Sequence, residues 1–190
     1  IKRLLAYSSV AQIGYMLLGL SLASVSGLTG GLVHLFNHAL MKSGLFLVMA
    51  AVLLRTGSTR IEAMAGLGRR MPWTMAAFVV AGLSIIGVPL TVGFVSKWYL
   101  VTGAIEAGLW PVAVLILLSS LLALIYVWRV VEVAYFRPPP EDAPEIRDAP
   151  PSLLGPIWLL TGAVVFFGIF TSLSVGTASA AARMLLGVAR

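Results

Sequence analysis

Five stretches of the chain run almost without charge: about residues 4–22, 29–54, 73–101, 109–136 and 152–173. Each meets the roughly 18 to 20 apolar residues that a helix needs to cross a hydrocarbon core. Hydrocarbon offers backbone N–H and C=O groups no partner, and the runs are too long and continuous for barrel strands, so helices are predicted. The pattern predicts an all-α membrane protein: a five-span bundle over residues 1–176, then a C-terminal tail over 177–190 that forms either a short interfacial helix or frayed coil.

The third run is interrupted. In "GLSIIGVPLTVGFVSK", Pro89 removes a backbone donor, and Gly82, Gly87 and Gly93 flank it, so one unbroken helix is not expected. A helix that is discontinuous at Gly87–Pro89 survives at membrane depth only where protein or water satisfies the freed carbonyls. A plain proline kink is the simpler alternative.

The polar segments set the topology. Five spans place the N-terminus, the basic loop over 55–71 and the linker "RPPPEDAPEIRDAPP" on one side, together with Lys2, Arg3, Arg55, Arg60, Arg69, Arg70, Arg137 and Arg147. The opposite side has only Glu106 in its first two loops and gains Arg183 and Arg190 in the tail. By the positive-inside rule the N-terminal end is cytoplasmic. Lys2 and Arg3 lead straight into an apolar segment with no cleavable small-residue site, which reads as the C-terminal piece of a longer protein.

Topology leaves two basic residues unexplained, Lys42 and Lys97. In "HLFNHALMK", His34, His38 and Lys42 are spaced four and four, along one stripe of the second span. A charged lysine at mid-span costs roughly 2.5 to 3.5 kcal/mol on insertion scales, so Lys42 should face other helices or water. Histidine exchanges protons near neutral pH and a desolvated lysine can be brought into that range, so the stripe has the chemistry of a proton relay. A helix-to-helix hydrogen bond is an equally good reading of His34 alone. Lys97, eight residues past Pro89, either snorkels to the outer interface or ends an internal proton path. At the cytoplasmic end of the first span, Ser8, Ser9 and Gln12 either bond neighbouring helices or line a watery entrance beside Lys2.

Composition narrows the alternatives. The chain is 59% hydrophobic and 11% charged, with a mean hydropathy of +1.00, unlike a soluble domain. The net charge of +6 is spread over loops and helix ends, so no nucleic-acid partner is expected. With no cysteine, thiolate metal sites and iron–sulfur clusters are excluded. The histidine pair has no nearby carboxylate to complete a metal site, and no cofactor is expected. No acidic residue lies deep in a span, so the chain offers no strong Na⁺ site, and protons suit its nitrogens better.

"KRLLAYSSVAQIGYM", "HLFNHALMKSGLF" and "GVPLTVGFVSKWYL", in this order, resemble the antiporter-like proton-translocating subunits shared by respiratory complex I and the Mrp-type cation/proton antiporters. The resemblance covers about residues 1–136, and "SSLLALIYVWRVVEVAYFRPPPE" further resembles the D-type branch of the Mrp antiporter subunits. It implies the second of two inverted five-helix repeats, with His34, His38 and Lys42 as a relay, Lys97 beyond the broken helix nearest the outer exit, and Lys2 at the cytoplasmic end. The expected role is proton translocation as the C-terminal part of an Mrp D-type protein. The alternatives are a proton-pumping subunit of complex I without its own redox site, or a non-conducting scaffold. The expected setting is a bacterial inner membrane, with other membrane subunits as partners and any Na⁺ or K⁺ carried through them.

Overall fold

The computed structural model describes residues 1–139 and 145–188, and among these every regular element is helical. Helix α1 (Lys2–Ser21) and the long α2 (Val25–Thr56) are antiparallel neighbours joined by a three-residue turn. Ser24 caps α2 by accepting a 3.1 Å hydrogen bond from the Gly27 N–H. The two helices nearly touch: a Cβ on Gly19 would lie 2.7 Å from the Gly31 Cα. Only small residues permit this approach in a membrane bundle.

The basic loop is more structured than its composition implies. A 3-10 turn (Glu62–Met64) and a single helical turn α3 (Leu67–Arg70) carry Met64, Leu67 and Met71 fully into the core, leaving Arg60 and Arg69 outside. Three apolar residues spaced over one loop thus fasten it beneath the bundle.

The third run is two helices, α4 (Pro72–Ile86) and α5 (Val92–Glu106), separated by residues 87–91. The expected discontinuity is therefore a full break and not a kink. Helix α6 (Trp110–Phe136) follows, then α7 (Pro151–Ile169) and α8 (Ser172–Leu185). Four helices, α1, α2, α6 and α7, are long and apolar enough to cross a membrane; α4 is apolar but only 15 residues long. The fifth run ends earlier than the hydropathy implies, because α8 starts at Ser172 and lies against α2 with Ala178 and Ala182 buried. Arg190, like residues 140–144 of the linker, lies outside the described residues.

α2 is the axis of the bundle, packed by α1, α4, α5, α7 and α8. α6 touches α4 and α5 and turns most of its length outward, with Leu115, Leu121, Leu122 and Ile125 exposed. That surface suits lipid or a neighbouring subunit as solvent.

The linker end is tied down. The Asp148 carboxylate accepts from the Trp73 N–H at 2.8 Å and from the Thr74 hydroxyl, so it caps α4, whose own Met71 supplies no cap. The Asp148 carbonyl accepts from Arg55 Nη2 at 2.7 Å and Nε at 3.1 Å. One residue therefore joins the end of α2, the start of α4 and the approach to α7. Asp148→Ala is expected to lower stability by about 1 kcal/mol, seen as an earlier thermal transition in detergent, with Asp148→Asn losing less because it keeps an acceptor.

Candidate functional site

α4 ends in a left-handed Gly87, φ +94°, a conformation that favours glycine. This turn uses part of the helix end: the Gly87 N–H donates to the Leu83 and Ser84 carbonyls, and the Val88 N–H to Leu83. The last two carbonyls remain. Both are taken by Lys97, whose Nζ donates to the Ile85 oxygen at 2.8 Å and the Ile86 oxygen at 2.9 Å. A third hydrogen bond goes to Ser120 Oγ on α6 at 2.8 Å. The Lys97 side chain leaves little room: a Cβ on Gly87 would lie 3.0 Å from its Cδ. Lys97 is only 7% exposed and does not snorkel.

The second half of the break is equally tight. The Gly93 N–H donates to Ser84 Oγ at 3.1 Å, and a Cβ at Gly93 would fall 1.7 Å from the Ser84 carbonyl oxygen. No side chain fits there. Pro89 itself is exposed at the tip of the break.

α2 reads α5 through two side chains. His34, fully buried, pairs its Nδ1 with Ser96 Oγ at 2.8 Å, and Asn37 Nδ2 donates to the Val92 carbonyl at 2.6 Å. His34 and His38 stack with ring centroids 6.4 Å apart. His38 lies within electrostatic range of Lys42, and His34 within range of His38 and Lys97. The stripe expected from the sequence therefore leads from one lysine toward the other.

Lys42 is 5% exposed and is bound to α1: its Nζ donates to the Leu5 carbonyl at 2.9 Å and bonds Ser8 Oγ. Ser9 donates to the same carbonyl at 3.1 Å. Gln12, one turn further along α1, is buried with an unpartnered Oε1. Lys2 is exposed at the start of α1, more than a helical turn before Ser8 and outside this buried group.

Charge is handled in one way throughout. Among the described residues the ion pairs are Arg60–Glu62 and Arg137–Glu132, and neither buried lysine takes part in one. Each ammonium is held by neutral oxygens, and at Lys97 these include the negative end of the α4 dipole. Among the described residues, Gln12 Oε1, His34 Nε2, Asn37 Oδ1 and His38 Nε2 are buried without a hydrogen-bond partner. A polar atom buried without a partner is costly, so this cluster calls for water. Among the described residues no three metal-binding side chains come together. Asn37, Ser96, Ser84 and Ser120 are the site residues not singled out in the sequence. Asn37 falls on the His34–His38 stripe and Ser96 precedes Lys97, so both are within reach of the pattern.

Residues 1–123 match the family model described as NADH:quinone oxidoreductase/Mrp antiporter, transmembrane. The chain belongs to this family. A relative from Desulforudis audaxviator, an NADH-quinone oxidoreductase subunit N, is 46% identical over 180 residues, covering 88% of this chain and 36% of the relative. Among solved structures, one of the Mrp complex from a Dietzia species contains a chain with a TM-score of 0.89 at 25% identity, over 96% of this chain and 42% of that one. Respiratory complex I from Thermus thermophilus contains another, with a TM-score of 0.83 at 25% identity, over 98% and 40%. The chain thus spans well under half the length of the proteins it matches. It is an antiporter-like integral membrane segment. The finer Mrp D-type assignment is not supported, since the relative at 46% identity is a subunit N. The segment that prompted it falls mostly past residue 123, and its residues 119–136 lie on α6.

The break also yields a stability test. Gly93→Ala is expected to cost about 1 to 3 kcal/mol by forcing α4 and α5 apart. Gly14→Ala, with nothing within 4 Å of the added methyl, should be neutral or mildly stabilising in the same melt.

Proposed function

We propose that this chain carries part of the proton path of a complex I-type NADH–quinone oxidoreductase, as a segment of its antiporter-like subunit N. Protons reach Lys42 from the cytoplasmic end of α1, pass His38 and His34 with intervening water, and leave outward through Lys97. The observation that carries this reading is that two membrane-buried lysines, neither with a carboxylate partner among the described residues, are joined by a histidine stripe whose Nε2 atoms have no hydrogen-bond partner among those residues. A group needed only for packing would not bring two desolvated cations into the bundle.

Without a fixed counter-ion, each ammonium can give up its proton without leaving a buried carboxylate unpaired. Moving one charge across 100 mV involves about 2.3 kcal/mol, which a change of about one to two pKa units between states can match. In this setting the energy comes from quinone reduction elsewhere in the assembly, and the chain supplies no redox chemistry. The membrane is the bacterial plasma membrane, with the N-terminal end of α1 cytoplasmic, a placement the arginine distribution supports. The partners are other membrane subunits.

The test uses the assembled complex in proteoliposomes, with NADH oxidation and proton uptake followed together. Lys97→Ala and Lys42→Ala are expected to reduce protons moved per NADH oxidised, measured on the complex that assembles. A scaffold role predicts unchanged proton transport in both variants.

A further inference from the structure

Tyr15 is a buried aromatic that none of the relay steps above uses, yet it touches both residues between which the last transfer takes place. It lies on α1, one turn beyond Gln12, and is 6% exposed. The Lys97 ammonium sits 5.3 Å from its ring centroid, over the face. The His34 ring meets it edge-on, with centroids 5.3 Å apart and planes at 65°. Its hydroxyl donates a long 3.4 Å hydrogen bond to the Ile116 carbonyl and has the Ser119 and Ser120 hydroxyls as further hydrogen-bonding neighbours.

We propose that the Tyr15 ring, and not its hydroxyl, is the positioning element that holds Lys97 and His34 at their working separation. This rests on Lys97 acting as a proton carrier. The groups facing Lys97 are Tyr15 on α1, His34 on α2, the Ile85 and Ile86 carbonyls on α4 and Ser120 on α6. Oxygens occupy the three hydrogen-bond directions of the ammonium, so the π face is the remaining electron-rich surface available to the cation. A cation over an aromatic face is stabilised most where water is excluded. The same ring, wedged against His34, prevents that imidazole from turning away from Lys97 while Ser96 holds its Nδ1. Tyr15 thus bridges the imidazole and the ammonium through one rigid side chain.

The test compares Tyr15→Phe, Tyr15→Leu and Tyr15→Met in the assembled complex, with Lys97→Ala alongside and complex content measured for each. Phenylalanine keeps the face and is expected to retain wild-type protons per NADH. Leucine and methionine remove it and are expected to lower proton transport about five- to thirtyfold. Wild-type transport in either aliphatic variant overturns the proposal. Loss in Tyr15→Phe equal to that in Tyr15→Leu also overturns it, by assigning the role to the hydroxyl. If Tyr15→Leu does not assemble, Tyr15→Met decides, and failure of both to assemble where Tyr15→Phe succeeds makes the ring a folding residue and overturns the positioning role. Full transport in Lys97→Ala would instead refute the relay reading itself, which separates the two failures.

Discussion

The cradle around Lys97 governs the architecture. A cation in a membrane interior must be matched by negative charge or dipole, and among the described residues no carboxylate pairs with it. The match comes from backbone. By stopping α4 at Ile86, the chain exposes two carbonyls at the negative end of a helix dipole, where the ammonium fits. A helix end that would be unsatisfied in lipid and a charge that would be unsatisfied in lipid thereby solve each other. The left-handed Gly87 allows the stop, and the methyl-free Gly93 lets α5 restart against Ser84. α2 then fixes α5 through His34 and Asn37, so the histidine stripe and the break are one construction.

Lys42 uses a related device with a different outcome. It borrows the Leu5 carbonyl from an intact helix, an oxygen also bonded by Ser8 and Ser9. The Lys97 cradle is instead made of two carbonyls that have no helical partner, with the Ser120 hydroxyl beside them. The outward face of α6 and the exposed apolar residues elsewhere are compatible with lipid and with flanking subunits, in keeping with relatives drawn from multi-subunit complexes.

Much of this is legible in the sequence, because the strongest signals are expensive ones. Long uncharged runs, two lysines where charge is costly and a proline among glycines each constrain the fold, through insertion energies of about 3 kcal/mol per charge or through sterics alone. The His34–His38–Lys42 spacing tells which residues share a face. It does not tell what faces them, since Ser8 as the partner of Lys42 and Tyr15 between His34 and Lys97 depend on how α1 rotates against α2. Hydropathy does not register the short turn after Ile169, so it runs the fifth span into the start of α8. The burial of Met64, Leu67 and Met71 is hidden within a loop whose arginines dominate its composition. What divides the Mrp and complex I branches is identity along the chain, 46% to a subunit N, because solved structures of both assemblies share the fold.

The proposed mechanism centres on hydrated polar groups connecting two buried ammonium ions. The most direct measurement is a high-resolution structure of the assembled complex in which ordered water is resolved. Water is expected within hydrogen-bonding distance of His34 Nε2, His38 Nε2 and Gln12 Oε1, forming a connected chain from Lys42 toward Lys97. Apolar side chains or lipid filling that space, with both amines sealed from water, would contradict it.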